Sequence, residues 1–139
     1  MSAAFIVDCS VAMAWLFADE ATPGTAGLLD RLAGETALVP SWWFVEVTNV
    51  IAMAERKRRI SPAQSAAFLG DLSRLDIESD GEAPTRAFAH LLPLCRAHQL
   101  TSYDAIYLDL AVRRDLPLAT LDSALRKAAG KLGVKLLGL

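Results

Sequence analysis

From Ala3 to Ala18 the chain reads AAFIVDCSVAMAWLFA, and Asp8 is the only ionisable side chain in those sixteen residues apart from the Cys9 thiol. An unpaired carboxylate buried in so apolar a run is strongly unfavourable. Few folds accommodate it. The run must break at Asp8, with a buried strand before it and a helix after it. The carboxylate then stands at the strand's end, facing something that wants negative charge.

The rest of the chain continues the alternation. Short apolar runs at 5–7, 37–39, 118–120 and 134–137 read as strands, and 76–78 as a weaker, mostly polar one that suits a sheet edge. Between them the pattern predicts helices over 11–17, 25–33, 42–58, 62–75, 84–98, 103–113 and 123–132. Ser61-Pro62-Ala63-Gln64 has the residues of a helix start, and Gly133 after Leu132 those of a stop. Strands alternating with helices predict an α/β fold whose parallel sheet is covered on both faces. No linker, repeat or low-complexity tract interrupts it, so residues 1–139 read as one domain. In such folds ligands bind beyond the carboxyl ends of the strands, where the winding reverses. Asp8 and Asp122 each fall just after a predicted strand.

Composition sets limits. The hydrophobic fraction is 53%, and mean hydropathy is +0.32, high for a soluble monomer of 15.0 kDa. A second copy or a tight protein partner is expected to cover part of that surface. No apolar stretch reaches the roughly 18 residues that span a bilayer, and the start lacks the Lys/Arg region of a secretory leader. Cys9 and Cys95 are too few for a disulfide framework and read as reduced core residues of a cytoplasmic protein. A net charge of -2 excludes a polybasic nucleic-acid binder. Local charge differs: Arg56, Lys57, Arg58 and Arg59 form a basic run, with smaller groups at Arg113–Arg114 and at Arg126, Lys127, Lys131 and Lys135.

Four acids stand out, each with a plain structural reading beside a functional one. The segment from Trp42 to Ala54, WWFVEVTNVIAMA, is apolar nearly all round and is expected to be well buried. Glu46 is its only ionisable residue, and Asn49 shares its face. Glu46 either reaches the surface, bonds Asn49, or acts. Asp104 enters a helix after Thr101-Ser102-Tyr103, where an acid also offsets the helix dipole. Asp109 is off that face and is expected to make a surface ion pair with Arg113 four residues on. Asp122 also has the place of an N-cap. Ionised carboxylates about 5 Å apart repel by roughly 3 kcal/mol at an effective dielectric near 20. A cluster at one rim therefore needs a cation or raised pKa values. Oxygen-only ligands favour Mg2+ or Mn2+ over zinc, and His90 and His98 match no zinc spacing.

These residues resemble the PIN-domain ribonucleases, especially the VapC-type toxins of bacterial toxin–antitoxin pairs. Ile6-Val7-Asp8-Cys9-Ser10 resembles the first strand, with Asp followed two residues later by Ser or Thr. Pro40 through Glu46-Val47-Thr48-Asn49 resembles the second block, Thr101-Ser102-Tyr103-Asp104-Ala105-Ile106-Tyr107-Leu108 the third, and Leu118-Ala119-Thr120-Leu121-Asp122 the fourth. Each piece is a loose pattern; four in order are more specific. Cys9 departs from the commoner Ala or Thr, and residues 62–98 carry no motif.

The resemblance implies a PIN-like three-layer α/β/α fold with about five parallel strands. It implies that Asp8, Glu46, Asp104 and Asp122 converge on one or two divalent ions, Mg2+ or Mn2+, with Ser10, Asn49 and Thr120 in support. It also implies an RNA substrate, a cognate antitoxin and a homodimer. The chain offers no placed His or Lys as general base, so a metal-activated water would hydrolyse the phosphodiester. Because an acidic site repels RNA, Arg56, Lys57, Arg58 and Arg59 are candidates to bring it in, although cations also suit a helix C-terminus. Two other readings are an aspartyl-phosphate phosphatase and a catalytically degenerate PIN-fold binding module. The first would usually need an acid at the position of Ser10; the second would have lost an acid.

Overall fold

The structure, a computed structural model, describes residues 2–139. Five strands, β1 (Phe5–Val7), β2 (Ala37–Pro40), β3 (Ile77–Asp80), β4 (Leu118–Ala119) and β5 (Leu136–Leu137), form one parallel sheet in the order β3-β2-β1-β4-β5. Every residue of β1, β2 and β4 is buried. Successive side chains point to opposite faces, so helices cover both, giving three layers. The polar β3 lies at the edge, as its composition predicts.

The helices are α1 (Cys9–Leu16), α2 (Pro23–Arg31), α3 (Trp42–Arg56), α4 (Pro62–Ser73), α5 (Ala83–Arg86), α6 (Leu92–His98), α7 (Ser102–Arg114) and α8 (Ser123–Lys131). Their starts are locally encoded. Ser61 and Gln64 form a reciprocal capping box at α4, and Thr22 with Thr25 does the same at α2. The winding reverses between β1 and its neighbour β4, so Asp8 and Asp122 stand at the switch point. At the far end of the chain Gly138, at φ +113°, leaves β5 with a Cβ position only 3.2 Å from the Thr120 carbonyl oxygen. A side chain there would be strained in its backbone and crowded against the segment that leads to Asp122.

Three expectations are corrected. Residues 84–98 do not form one helix: a π-helical turn over Ala87–Leu91 separates α5 from α6. Pro93 lacks an N–H and its ring crowds the preceding turn, and the wider turn accommodates it. The α3 helix is not buried all round. Trp43, Val47, Ile51 and Ala54 make a narrow buried stripe, while Phe44, Val45 and Met53 are exposed. Asp109 does not pair with Arg113 at the surface. It is buried, and Arg86 grips it through two hydrogen bonds of 2.7 and 2.9 Å.

Arg113 instead ties α7 to the sheet edge. It donates to Asp80 at 2.9 and 3.1 Å and pairs with Glu82 at 2.8 Å. Burial pushes the Asp80 carboxyl up. The hydrogen bonds from Arg113 and the Glu82 N–H, with the charges of Arg113 and Arg114, reverse this and hold it below its ordinary 3.8. A carboxylate held low stabilises the fold above its unfolded pKa, and that contribution is lost as pH falls through the folded value. Arg113→Ala is therefore expected to destabilise the fold at neutral pH by less than the roughly 3 kcal/mol of a fully buried pair, since it strips a partly buried carboxylate of its main partner while Arg114 remains. Urea midpoints of the variant and wild type, measured down to about pH 2, should converge in acid. A deficit that persists there assigns the loss to packing rather than to the ion pair.

Candidate active site

The site is built where β1 and β4 end. Asp8 follows β1 directly, and its N–H donates to the Ala119 carbonyl at 3.1 Å. Its side chain caps α1, accepting from the Val11 N–H at 3.2 Å. The Ser10 hydroxyl donates to the same oxygen at 2.6 Å, and the Thr120 hydroxyl donates to the other at 2.5 Å. Each hydroxyl also accepts a backbone N–H, Ser10 from Leu121 at 2.9 Å and Thr120 from Asp122 at 3.0 Å. Asp8 is 5% exposed. Burial raises its carboxyl to about 6, against the pull of Ser10, Thr120 and the Val11 N–H, with Asp104 adding a further push.

The other three acids arrive on three helices. Asp122 caps α8, accepting from the Leu125 N–H at 2.9 Å. Asp104 lies in the first turn of α7, where its own N–H donates to the Thr101 hydroxyl at 3.3 Å. Burial raises its carboxyl, as does the charge of Asp122. Glu46, in the second turn of α3, accepts from the Tyr107 hydroxyl and not from Asn49. Burial raises it to about 7, against the Tyr107 hydrogen bond and with the help of Asp8 and Asp104. No basic side chain is among the groups that shift these three carboxyls. Charge therefore links the acids: Asp104 acts on Asp8 and Glu46, Asp8 on Glu46, and Asp122 on Asp104.

Sequence reasoning did not assign Tyr107 a role. It lies three residues after Asp104, on the same face of α7, and that spacing was the available signal. Its hydroxyl is buried and pushed far up by burial and by Glu46, so it stays a donor. Asn49 lines the same cavity as Glu46, with Trp42 and Tyr103. Those two rings stack at 5.0 Å, with planes 15° apart. Cys9 is no nucleophile: burial, Glu46, Asp8 and Glu20 push its thiol to about 12.

The basic run lies beyond these residues, at the far end of α3. Arg56 touches the Met53 sulfur at 3.6 Å. Lys57 and Arg58 are exposed. Arg59 pairs with Asp19 at 2.8 Å and Glu20 at 2.9 Å, and covers the Phe17 ring.

Among the described residues, no three His, Cys, Asp or Glu side chains already form a group that could hold a metal ion. Asp8 and Asp122 are turned to helix N–H groups and Glu46 to Tyr107. This suits a hard ion of the Mg2+ type, which takes one or two carboxylates, keeps waters and completes its shell with substrate phosphates. The donors are all oxygen, and the raised carboxyls of Asp8, Glu46 and Asp104 mark a place that favours positive charge.

Residues 5–131 match the family model of the PIN domain. No curated protein matches the chain. Among solved structures, PAE2754 from Pyrobaculum aerophilum is 21% identical with a TM-score of 0.71, over 96% of this chain and 83% of that one. A toxin–antitoxin complex from Klebsiella pneumoniae is 16% identical with a TM-score of 0.56, over 86% of this chain and 88% of that one. At these identities the likeness is one of fold. The family match covers most of the sequence and all four acids, and the chain belongs to the PIN-domain family, whose members are generally nucleases.

Proposed function

We propose that this PIN domain is a Mg2+- or Mn2+-dependent endoribonuclease acting as the toxin of a toxin–antitoxin pair in the cytoplasm. The observation that carries the reading is the convergence of acids at the sheet's switch point, where the charge of Asp104 raises Asp8 and Glu46, that of Asp8 raises Glu46, and that of Asp122 raises Asp104. Asp8 and Asp104 are the strongest candidates to hold the ion, with Glu46 and Asp122 bound directly or through water. When bound, the metal lowers the pKa of a water and neutralises charge on the scissile phosphate.

The chain's own residues do the positioning. Ser10 and Thr120 fix both oxygens of Asp8. Tyr107 holds Glu46 toward the rim. The backbone of α8 holds Asp122 through its cap. The arrangement disfavours an aspartyl-phosphate enzyme, because Asp8 is buried and both of its oxygens accept hydrogen bonds. A degenerate binding module has no reason to retain four mutually repelling acids.

An exposed apolar face beside the site suits protein partners. Val45 and Tyr103 are exposed there. A cavity of about 580 Å³ opens between α3, α5 and α7. We assign to this face a second copy of the chain or the antitoxin. The Klebsiella pneumoniae toxin–antitoxin complex, which shares the fold, supports an antitoxin partner.

Two experiments test the reading. Asp8→Asn and Asp104→Asn proteins, shown folded by circular dichroism, should lose Mg2+-dependent cleavage of single-stranded RNA by at least about 100-fold, the upper range for residues that merely support a metal's ligands. Unchanged cutting by either would sink the proposal. The second reads binding alone. Asp8 and Glu46 titrate near 6 and 7 when folded, so the folded chain holds more protons than the unfolded one between about pH 4 and 7. Metal-free stability therefore declines as pH rises through that window. Mg2+ needs the deprotonated acids, so its stabilisation grows over the same window. Millimolar Mg2+ should raise the Tm at pH 8, do little at pH 5, and leave Asp104→Asn unmoved. An equal rise in wild type and variant would place the ion elsewhere.

A further inference from the structure

The acidic rim cannot hold a polyanion by itself, and α8 carries a second feature that can. We propose that the groove between the end of α6 and the flank of α8, lined by His98, Gln99, Lys127 and Lys131, binds the phosphodiester backbone of the single strand being cut. The proposal rests on the nuclease reading above and names the surface that would bring the substrate to that site.

The groove has a volume of about 320 Å³, and no acid lines it. Lys127 and Lys131 are four residues apart and so lie on one face of α8. Both are exposed, and among the described residues neither makes an ion pair. The neighbouring cation on α8 is committed elsewhere: Arg126 donates to the carbonyls of Thr120 and Leu137 at 2.7 and 3.0 Å. Across the groove, His98 and Gln99 end α6. Gln99 adopts a left-handed φ of 54°, which turns the chain toward α7. The His98 Nδ1 is buried and bonds no protein group, so that nitrogen does not serve the groove. The groove thus offers two exposed lysines beside the Gln99 amide, donor types that contact phosphate oxygens.

Its place in the fold connects it to the acids. The α8 helix starts immediately after Asp122, so at 1.5 Å per residue Lys127 and Lys131 stand about 8 and about 14 Å along the axis from that carboxylate. Asp104 follows Gln99 by five residues, in the first turn of the helix packed against α8. A strand whose scissile phosphate lies at the rim can therefore continue over the lysines. In the other basic run, by contrast, Arg59 is already neutralised by Asp19 and Glu20.

The test uses the full-length Asp104→Asn protein, expected to bind without cutting, and a fluorescently labelled single-stranded RNA. Affinity is measured by anisotropy over about 50–200 mM salt, where log K falls with log salt by about 0.7 per phosphate contact on a single strand. Adding Lys127→Gln and Lys131→Gln should make the slope shallower by about 1.4, two contacts' worth, without lowering the Tm. Lys→Arg at both positions should restore it. Single-stranded DNA of the same sequence should lose the same slope, because phosphate contacts ignore the 2′-hydroxyl. Arg56→Gln with Lys57→Gln should leave the slope unchanged. An unaltered slope in the α8 variant, or a loss confined to the Arg56/Lys57 variant, overturns the groove. If wild type cuts RNA while the α8 variant keeps its slope, only the groove falls. If wild type cuts no RNA but the slope on DNA drops as expected, the ribonuclease reading falls and the groove stands.

Discussion

The architecture depends on one clasp, the carboxylate of Asp8 held between two hydroxyls and a helix start. One oxygen takes Ser10 and the Val11 N–H, and the other takes Thr120. Through these bonds the end of β1, the first turn of α1 and the end of β4 become one rigid corner. Because Ser10 and Thr120 each also accept an N–H from the β4–α8 connection, the corner fixes where Asp122 sits. A buried charge would otherwise be unfavourable in this apolar setting. Here it is tolerated because three hydrogen bonds answer it, although burial still leaves the carboxyl raised to about 6.

That residual elevation is informative because it is shared. A single raised acid is compatible with an indifferent buried residue. Three raised acids, after β1 and on α3 and α7, are linked by charge as well as by burial: Asp104 pushes up Asp8 and Glu46, Asp8 pushes up Glu46, and Asp122 pushes up Asp104. The surrounding network stops just short of relieving it. Tyr107 gives Glu46 a hydrogen bond but no charge, and Thr101 only accepts the Asp104 N–H in the first turn of α7. The same chain does supply arginines to the buried Asp109 and the partly buried Asp80. It separates structural carboxylates, which are neutralised, from those at the rim, which are not.

Much of this was legible in the sequence because local chemistry wrote it. The apolar strands, the Ser61 cap, the Gly133 stop and the polar edge strand all follow from side chains acting on their own backbone. The four acids were legible because each stands at an element's end or alone in an apolar run. The two mispaired acids share a different cause: the partner lies far along the chain. Asp109 was assigned to Arg113 on helical spacing, whereas Arg86 reaches it from 23 residues away. Glu46 was offered Asn49, its neighbour on the helix, but bonds Tyr107 across 61 residues. Counting apolar residues along α3 overstated its burial, because it could not show that the sheet and its neighbours use only a narrow stripe.

For Asp8, Asp104 and Asp122, the structural and functional readings turn out not to compete. Asp8 and Asp122 are true N-caps, and Asp104 lies in a first turn where negative charge offsets the dipole. In a parallel α/β sheet the carboxyl ends of strands and the N-termini of the following helices occupy the same rim. Residues that cap those helices are therefore delivered to one edge by the fold itself. Capping needs an oxygen acceptor, which asparagine supplies nearly as well as aspartate. Holding a hard divalent cation needs the charge and the second oxygen as well. The two demands diverge only at the exchange of carboxylate for amide. An exchange that spares the helices and abolishes the chemistry therefore reveals what the rim adds to the cap.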